Sequence, residues 1–167
     1  MLYYITGGER SGKSSYAQNL ALELSKNPVY IATSRVWDGN HRKRIDRHIS
    51  DRGDAWTSIE EEKELSKVIH KNTTVVIDCV TLWLTNFFVD TKNDIELSLD
   101  LAKKEFNKLI TIEANIIIIS NEIGMGVHAT TEIGRKFTEL QGWMNQHIAK
   151  HADQAILMVS GIPVTIK

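Results

Sequence analysis

Short apolar runs alternate along the chain with longer segments of helical period, and this alternation predicts a sheet wrapped by helices. Two of the runs, "TVVID" at 74–78 and "NIIII" at 115–119, are rich in β-branched residues, which is typical of strands covered on both faces. Two earlier strands are predicted at 2–6 and 29–33. Helices are predicted at residues 14–26, 94–113 and 131–151.

Further segments complete the predicted order of elements. "AWTSIE" at 55–60 predicts a short strand, and a charged helix is predicted from there to about His70. "QAILMVS" at 154–160 and "IPVTI" at 162–166 predict two final strands, with Gly161 in the turn between them. Strands separated by helices predict a single α/β domain over the whole chain, with a mostly parallel sheet and an antiparallel C-terminal strand.

The composition is that of an ordinary globular protein, with 42% hydrophobic and 25% charged residues over 167 positions. The 20 basic and 21 acidic residues give a formal net charge of -1, which argues against a nucleic-acid binder. The single cysteine, Cys79, excludes an intramolecular disulfide and favours a cytoplasmic location. No apolar run approaches the ~20 residues of a membrane helix, and "MLYYITGG" lacks the pattern of an export signal.

A glycine-rich motif, "GGERSGKS", directly follows the first predicted strand and precedes a predicted helix. It matches G-x-x-x-x-G-K-[ST], whose backbone N–H groups bind phosphate oxygens at a helix N-terminus. Lys13 adds a point charge for the β and γ phosphates, and the Ser14 hydroxyl is a candidate ligand of Mg²⁺. The predicted nucleotide contacts of this loop are Gly7, Gly8, Glu9, Arg10, Ser11, Gly12, Lys13 and Ser14.

An acid at the end of a second buried strand positions the magnesium ion in P-loop proteins, and Asp78 ends the run "TVVID". This aspartate can complete a metal site with Ser14, or it can cap the helix predicted to follow at "CVTLWLTNFF". We favour the metal site, because a charge at the end of so apolar a strand needs a partner.

The basic stretch "RKRIDRHISDRG" at 42–53 sets His48 among arginines, in a segment from Asp38 to about Ile49 that is predicted to be helical. The segment follows a predicted strand, and ligands of open α/β sheets bind beyond the carboxyl ends of strands. Positive neighbours disfavour the imidazolium and leave a nucleophilic ring nitrogen. His48 is therefore a candidate nucleophile toward a nucleotide α-phosphate, with a solvated charged helix face as the alternative.

Several segments occur in a specific order along nearly the whole chain: "TGGERSGKSSYA", "VYIATS", "RIDRHISDR", "AWTSIEE", "DCVTLWLTN", "SNEIGMGV" and "VSGIPVTIK". In this order they resemble the bifunctional adenosylcobinamide kinase and adenosylcobinamide-phosphate guanylyltransferase family of cobalamin biosynthesis. The resemblance implies a homotrimeric P-loop enzyme that uses Mg²⁺ and phosphorylates the aminopropanol hydroxyl of adenosylcobinamide with GTP or ATP. It implies that GMP from GTP is then transferred to that phosphate, which gives adenosylcobinamide-GDP.

The resemblance also implies the functions of individual residues. GMP would be carried on the histidine at the position of His48. Nucleotide contacts would extend from the glycine-rich loop to Ala32, Thr33, Ser34, Ile49, Ser50, Asp51, Arg52, Glu60 and Asp78. The chain departs from the family pattern at Asp78, where glutamate is common, and at "ISD" after His48, where a lysine and a glycine are common.

Other residues support more than one interpretation. Asn121 and Glu122 in "NEIGMG" are candidates for substrate contacts, with a tight structural turn as the alternative. Cys79 is expected to be a buried packing thiol. The apolar segment at 80–89 predicts a helix buried on more than one side, either in the core or at a subunit contact. The remaining histidines lack metal-ligand spacing and are interpreted as surface or structural residues: His41, His70, His128, His147 and His151.

Two other functions stay open from the residues alone. The first is a simple P-loop small-molecule kinase, in which His48 is structural and its arginines clamp a phosphate. The second is a nucleotide-dependent switch that signals to a partner protein. A covalent nucleotide on the protein would separate the bifunctional enzyme from the plain kinase, and multiple turnover with a small acceptor would exclude the switch.

Overall fold

The structure, a computed structural model, describes residues 1–35 and 53–167. Its strands are β1 (Leu2–Gly7), β2 (Val29–Ala32), β3 (Thr57–Glu60), β4 (Thr74–Asp78), β5 (Asn115–Ile119), β6 (Gln154–Val159) and β7 (Ile162–Thr165). Its helices are α1 (Lys13–Leu24), α2 (Val80–Asp90), α3 (Ile95–Leu109) and α4 (Glu132–His151), with short 3₁₀ turns at Leu65–Lys67 and Ile123–Met125.

The strands form one seven-stranded sheet in the order β3-β2-β4-β5-β1-β6-β7. The first six strands of this order are parallel, and β7 runs antiparallel to β6. The prediction of a mostly parallel sheet with an antiparallel strand at the end of the chain is confirmed. Because parallel strands end at a common edge, the loops after β1, β2, β3, β4 and β5 open on the same side of the molecule.

Both faces of the sheet are covered, which explains its nearly continuous apolar strands. The alternation along β1 sends Tyr4 toward the larger core, where it joins Leu84 of α2, Phe106 of α3 and Met144 of α4. The next residue, Ile5, points to the opposite face and packs in the cluster that includes small residues of α1. The sheet therefore holds α1, with its preceding loop, on one side and the other three helices on the other.

The prediction of a charged helix after "AWTSIE" was wrong. The only helical element in this segment is the 3₁₀ turn Leu65–Lys67. The Glu61 carboxylate accepts hydrogen bonds from the backbone N–H groups of Lys63 and Glu64, both at 2.8 Å. A side chain that satisfies these donors offers the backbone an alternative to helix. The buried Glu105 carboxylate of α3 accepts a further bond from the Ser66 N–H at 2.8 Å and holds the turn in place.

The apolar helix α2 lies in the core of the chain itself. Trp83, Phe87 and Phe88 are 3%, 7% and 4% exposed, so these side chains cannot form a subunit contact while the chain is folded in this way. The subunit-contact interpretation of this helix was wrong for these three residues. Within residues 1–35 and 53–167, every helix is too short or too polar to cross a membrane.

Candidate functional site

The register of the sheet brings most of the predicted site residues to one edge. Ala32 at the end of β2 pairs with Glu60 on one side and with Asp78 on the other. Asp78 in turn pairs with Ile119, the last residue of β5, and β5 lies beside β1. The edge therefore carries Glu60, Ala32, Asp78 and the glycine-rich loop in one row. The predicted residues His48, Ile49, Ser50, Asp51 and Arg52 lie outside the described part of the chain.

Two glycines give the loop after β1 its shape. Gly7 has φ 153°, and a Cβ there would lie 2.6 Å from the Met158 carbonyl oxygen and 2.7 Å from Ser11 Oγ. Gly12 precedes α1 with φ 94°, a left-handed conformation that side chains disfavour. The N–H of Gly161, in the turn between β6 and β7, donates to the Ser11 carbonyl at 3.0 Å. The loop is thus braced by the neighbouring hairpin.

Lys13 begins α1 and is buried at 7% exposure, with its ammonium group inside the curve of the loop. Its Nζ donates to the Gly8 carbonyl at 2.5 Å and to Ser11 Oγ at 3.4 Å. Burial lowers the pKa of Lys13, and the negative charges of Glu9 and Asp78 oppose that shift. Glu9 and Arg10 are exposed at the outside of the loop. The ammonium group of Lys13 therefore lies where a phosphate bound by the N–H groups of the loop would be placed.

Ser14 and Asp78 are in direct contact across the edge. The Ser14 hydroxyl donates to Asp78 Oδ2 at 2.9 Å, although the two residues are 64 positions apart in sequence. The alternative that Asp78 caps the next helix was wrong, because α2 is preceded by Cys79 and has no side-chain cap. Among the described residues, no hydrogen bond reaches Asp78 Oδ1. A hydroxyl and a carboxylate side by side are oxygen donors of the kind that Mg²⁺ prefers, so the residues present fit this ion.

Tyr30 of β2 is a site residue that the sequence analysis missed. Its hydroxyl donates to Asp78 Oδ2 at 2.5 Å, and its ring lies edge-on to Trp56 with centroids 6.0 Å apart. Two donors on one carboxylate oxygen fix the orientation of the aspartate and leave Oδ1 directed away from them. No local motif marks Tyr30, since its proximity to Asp78 depends on how β2 and β4 are paired.

Thr33 and Ser34, predicted nucleotide contacts, are buried just beyond β2. The Thr33 hydroxyl donates to the Cys79 carbonyl at 2.8 Å and accepts from the Cys79 N–H at 2.9 Å. The Thr33 carbonyl accepts from Asn86 Nδ2 of α2 at 2.7 Å. Thr33 thus joins the end of β2 to the start of α2. Cys79 is buried as expected, and burial raises the pKa of its thiol to about 12.

Asn121 and Glu122 follow β5, between the strands that carry the loop and Asp78. Asn121 Nδ2 donates to Thr81 Oγ1 of α2 at 3.0 Å. The Glu122 N–H donates to the Gly7 carbonyl at 3.1 Å, which places Glu122 against the first residue of the loop. Its carboxylate accepts hydrogen bonds from Thr6 Oγ1 at 2.8 Å and Asn145 Nδ2 at 3.1 Å. Both interpretations of this segment therefore still apply, since it is an ordered turn and it lies at the site.

Among the other histidines, His41 lies outside the described part of the chain, and His128 lies in the segment that follows β5. His70, which precedes β4, and His147 and His151, near the end of α4, lie away from this edge. His70, His128 and His151 are exposed, and His147 is partly buried. His147 and His151 pack against Phe106 of α3, with ring centroids 5.3 Å and 5.7 Å from it. Burial lowers the pKa of His147, and the neighbouring His151 adds to this shift. These two rings are part of the packing between α3 and α4.

The fold and the loop-centred edge define a nucleotide-binding α/β protein of the P-loop class. The family model for cobinamide kinase / cobinamide phosphate guanyltransferase (CobU) matches residues 3–166, and the chain belongs to this family. It is 33% identical to the bifunctional adenosylcobalamin biosynthesis protein CobU of Escherichia coli, with full coverage of both chains. It is also 33% identical to the bifunctional adenosylcobalamin biosynthesis protein CobP of Pseudomonas aeruginosa, over 98% of this chain and 95% of that one.

A solved structure of an ATPase from the type III secretion system of pathogenic bacteria has a similar fold. The match covers 98% of this chain and 56% of that chain, with a TM-score of 0.51 and 11% sequence identity. At this identity the likeness concerns the fold alone. It agrees with the architecture expected from the sequence.

Proposed function

We propose that this protein phosphorylates adenosylcobinamide with GTP or ATP and then transfers GMP from GTP to the product, forming adenosylcobinamide-GDP. The observation that carries the proposal is the contact between Ser14 and Asp78 beside the buried Lys13. A P-loop phosphotransferase needs a lysine to contact the γ-phosphate, and a hydroxyl and a carboxylate to hold the metal ion. Membership of the cobinamide kinase / cobinamide phosphate guanyltransferase family supports the choice of substrate.

In the kinase step, the loop N–H groups hold the phosphates and Lys13 neutralises charge that accumulates on the γ-phosphoryl oxygens. Ser14 and Asp78 are the residues that would hold Mg²⁺, which would supply further neutralisation of the phosphate charge. Tyr30 keeps the Asp78 carboxylate in one orientation through its hydrogen bond to Oδ2. The chemistry is mainly positioning and electrostatic stabilisation by preorganised groups.

In the nucleotidyl step, His48 attacks the α-phosphorus of GTP and pyrophosphate leaves, so that GMP is held on the imidazole. The phosphate oxygen of adenosylcobinamide phosphate then displaces the histidine nitrogen. The support for His48 comes from the sequence: it is the histidine of "RIDRHISDR", and its arginine neighbours favour a neutral ring. The same arginines would bind the triphosphate.

We also propose a homotrimer, with the contact on the exposed apolar face of the C-terminal hairpin. Ile162 and Val164 of β7 are two positions apart, so their side chains point to the same face of the strand. They are 66% and 44% exposed. Ile166 just beyond the strand continues this face at 58% exposure. Isolated exposed apolar residues are ordinary, but a row of them on one strand is typical of a contact surface.

The proposed function is tested with Lys13→Ala, matched by Lys26→Ala at an exposed lysine beyond the end of α1. Both half-reactions need the triphosphate held, so Lys13→Ala should lower the rates of phosphorylation and of GMP transfer together by roughly 10²-fold or more. Lys26→Ala should retain both rates. The measurement is chromatographic separation of adenosylcobinamide, its phosphate and its GDP derivative over time.

Three results would contradict the proposal. Wild-type protein that turns over neither substrate would overturn the assigned function. Retention of one activity in Lys13→Ala would mean that a second nucleotide site serves that step. Phosphorylation without GMP transfer by the wild-type protein would leave the plain kinase as the correct function.

A further inference from the structure

Glu122 occupies a special position relative to the phosphate-binding loop. It follows β5, and β5 lies between β1, which leads into the loop, and β4, which ends in Asp78. Its backbone N–H donates to the carbonyl of Gly7, the first loop residue. Glu122 therefore lies, through its backbone, against the first residue of the phosphate-binding loop, in the connection that leads from β5 to α4.

One oxygen of this carboxylate is fixed by three donors from two elements. Oε1 accepts from Thr6 Oγ1 at 2.8 Å, from Asn145 Nδ2 at 3.1 Å and from the Tyr4 hydroxyl at 3.3 Å. Burial is the main cause that raises the pKa of Tyr4 far above its ordinary value, and the Glu122 charge adds to the shift, so the phenol stays a donor. Asn145 is itself held, since its Oδ1 accepts from Ser120 Oγ at 2.6 Å.

The second oxygen, Oε2, accepts no hydrogen bond from any residue in the described ranges. The side chain is only partly buried, so this oxygen is not enclosed. A carboxylate that is clamped through one oxygen and open at the other is oriented like a general base, which must present one lone pair at a fixed place. A purely structural glutamate would gain most by using both oxygens.

Asp78 and Glu9 are less suited to the same task. Asp78 Oδ2 is occupied by Ser14 and Tyr30, and its remaining oxygen lies where a metal ion would be held. Glu9 is exposed on the loop, and no hydrogen bond to a described residue orients it. Of the three carboxylates Asp78, Glu9 and Glu122, Glu122 is the one that is both anchored through one oxygen and open at the other.

We propose that Glu122 is the general base of the kinase step, and this inference rests on the proposed function. Its Oε2 accepts the proton of the acceptor's aliphatic hydroxyl as the oxygen attacks the γ-phosphorus. The new bond joins the acceptor oxygen to phosphorus, and the bond between phosphorus and the β–γ bridging oxygen breaks. The nucleoside diphosphate leaves with that electron pair, and the proton passes from Glu122 to solvent. GMP transfer does not need this base, because its acceptor is already an ionised phosphate.

The test uses Glu122→Gln in the full chain, since glutamine keeps an Oε1 acceptor for Thr6, Tyr4 and Asn145 while removing the base. The matched control is Glu139→Gln, an exposed glutamate of α4. Glu122→Gln should lower kcat for phosphorylation of adenosylcobinamide by roughly 10²-fold. The KM for nucleotide and the rate of GMP transfer to preformed adenosylcobinamide phosphate should stay within a few-fold of wild type. Glu139→Gln should leave both rates unchanged.

The selective loss of one half-reaction is what a structural function of Glu122 would not produce. Phosphorylation within a few-fold of wild type in Glu122→Gln would overturn the proposal. Equal loss of both half-reactions would also overturn it, because a disturbed loop affects both. If Glu122→Gln does not fold, as judged by circular dichroism, Glu122→Asp serves instead. That variant keeps the charge and withdraws it by one methylene, so phosphorylation should again fall more than GMP transfer. Absence of phosphorylation in the wild-type protein would instead refute the proposed function.

Discussion

At the scale of single residues, the site depends on how one aspartate is held. Asp78 Oδ2 receives two hydrogen bonds, from Ser14 Oγ at 2.9 Å and from the Tyr30 hydroxyl at 2.5 Å. Tyr30 comes from the neighbouring strand and Ser14 from α1, so the carboxylate connects three elements. This arrangement fixes the direction of Oδ1 before a ligand binds. The carboxylate is therefore preorganised and need not reorient during the reaction.

Asp78→Asn tests whether this carboxylate serves a metal ion. The amide keeps the shape but removes the charge, so the concentration of Mg²⁺ needed for half-maximal phosphorylation should rise and turnover should fall by roughly 10- to 100-fold. The control is Asp100→Asn, at an exposed aspartate of α3 that, within residues 1–35 and 53–167, forms an ion pair only with Lys104. Titration of the kinase rate with Mg²⁺ measures both variants. An unchanged titration curve for Asp78→Asn would show that another group holds the ion.

The sequence identifies the parts of the site that are encoded locally. The glycine-rich loop is a contiguous motif, and Asp78 is marked by its place at the end of an apolar strand. Tyr30 and the partners of Glu122 are different, because they meet their carboxylates only through the pairing of strands and the packing of α4. Such contacts depend on register and on tertiary distance, which a single sequence does not display.

At the scale of elements, the buried strands are predicted well from the sequence. Helices cover both faces of the sheet, so these strands consist of nearly continuous apolar runs. The helix expected after "AWTSIE" fails for a local reason, since Glu61 bonds the backbone N–H groups two and three residues ahead. The helix expected over 94–113 is real but ends earlier, at Leu109. Its first turn is capped by Asp94, whose side chain accepts from the Leu97 N–H at 2.9 Å.

Asn86 of α2 provides a test of how the elements around the site are joined. Its buried Nδ2 donates to the Thr33 carbonyl at 2.7 Å and to the Glu62 carbonyl at 2.9 Å, which ties the residues after β2 and β3 to α2. Asn86→Ala leaves both acceptors without this donor and should lower the free energy of unfolding by about 2–4 kcal/mol. Urea denaturation followed by circular dichroism measures the loss.

The control for this variant is Thr85→Ala, one position away, whose hydroxyl donates to the Thr81 carbonyl of the same helix and to no other group in the described part of the chain. Its effect on the free energy of unfolding should be below about 1 kcal/mol. Equal stability of Asn86→Ala and wild type would mean that the loops after β2 and β3 do not depend on α2.

At the scale of the whole molecule, the sheet ends in two different ways. The β3 edge lies beside β2, whose last residue, Ala32, pairs with Glu60 on one side and with Asp78 on the other. The β7 edge carries the exposed apolar face of Ile162, Val164 and Ile166. The turn before β7 also braces the phosphate-binding loop through the Gly161 N–H. Assembly at the hairpin would therefore stabilise a segment that contacts the loop.

The proposed homotrimer is tested by the double variant Ile162→Glu and Val164→Glu. Charged side chains on this face disfavour its burial in a subunit contact. Light scattering should therefore give the mass of a monomer for the variant and the mass of a trimer for the wild type. Leu22→Glu, at an exposed leucine of α1 (45% exposed), is the control and should stay a trimer. A wild-type monomer would remove the proposed assembly, and a trimeric double variant would place the contact elsewhere.

The central claim is that one protein both phosphorylates its acceptor and carries GMP on His48, and labelling tests it most directly. Incubation with Mg²⁺ and GTP labelled at the α-phosphate should leave label on the denatured protein. The bond should be labile to acid and stable to base, as a phosphorus–nitrogen bond is, and label in the γ position should not be retained. His48→Ala and His48→Asn should abolish labelling while phosphorylation of adenosylcobinamide continues, because γ-phosphoryl transfer needs Lys13 rather than an imidazole nucleophile. Wild-type protein that never acquires the α-label, or His48 variants that label normally, would contradict the claim.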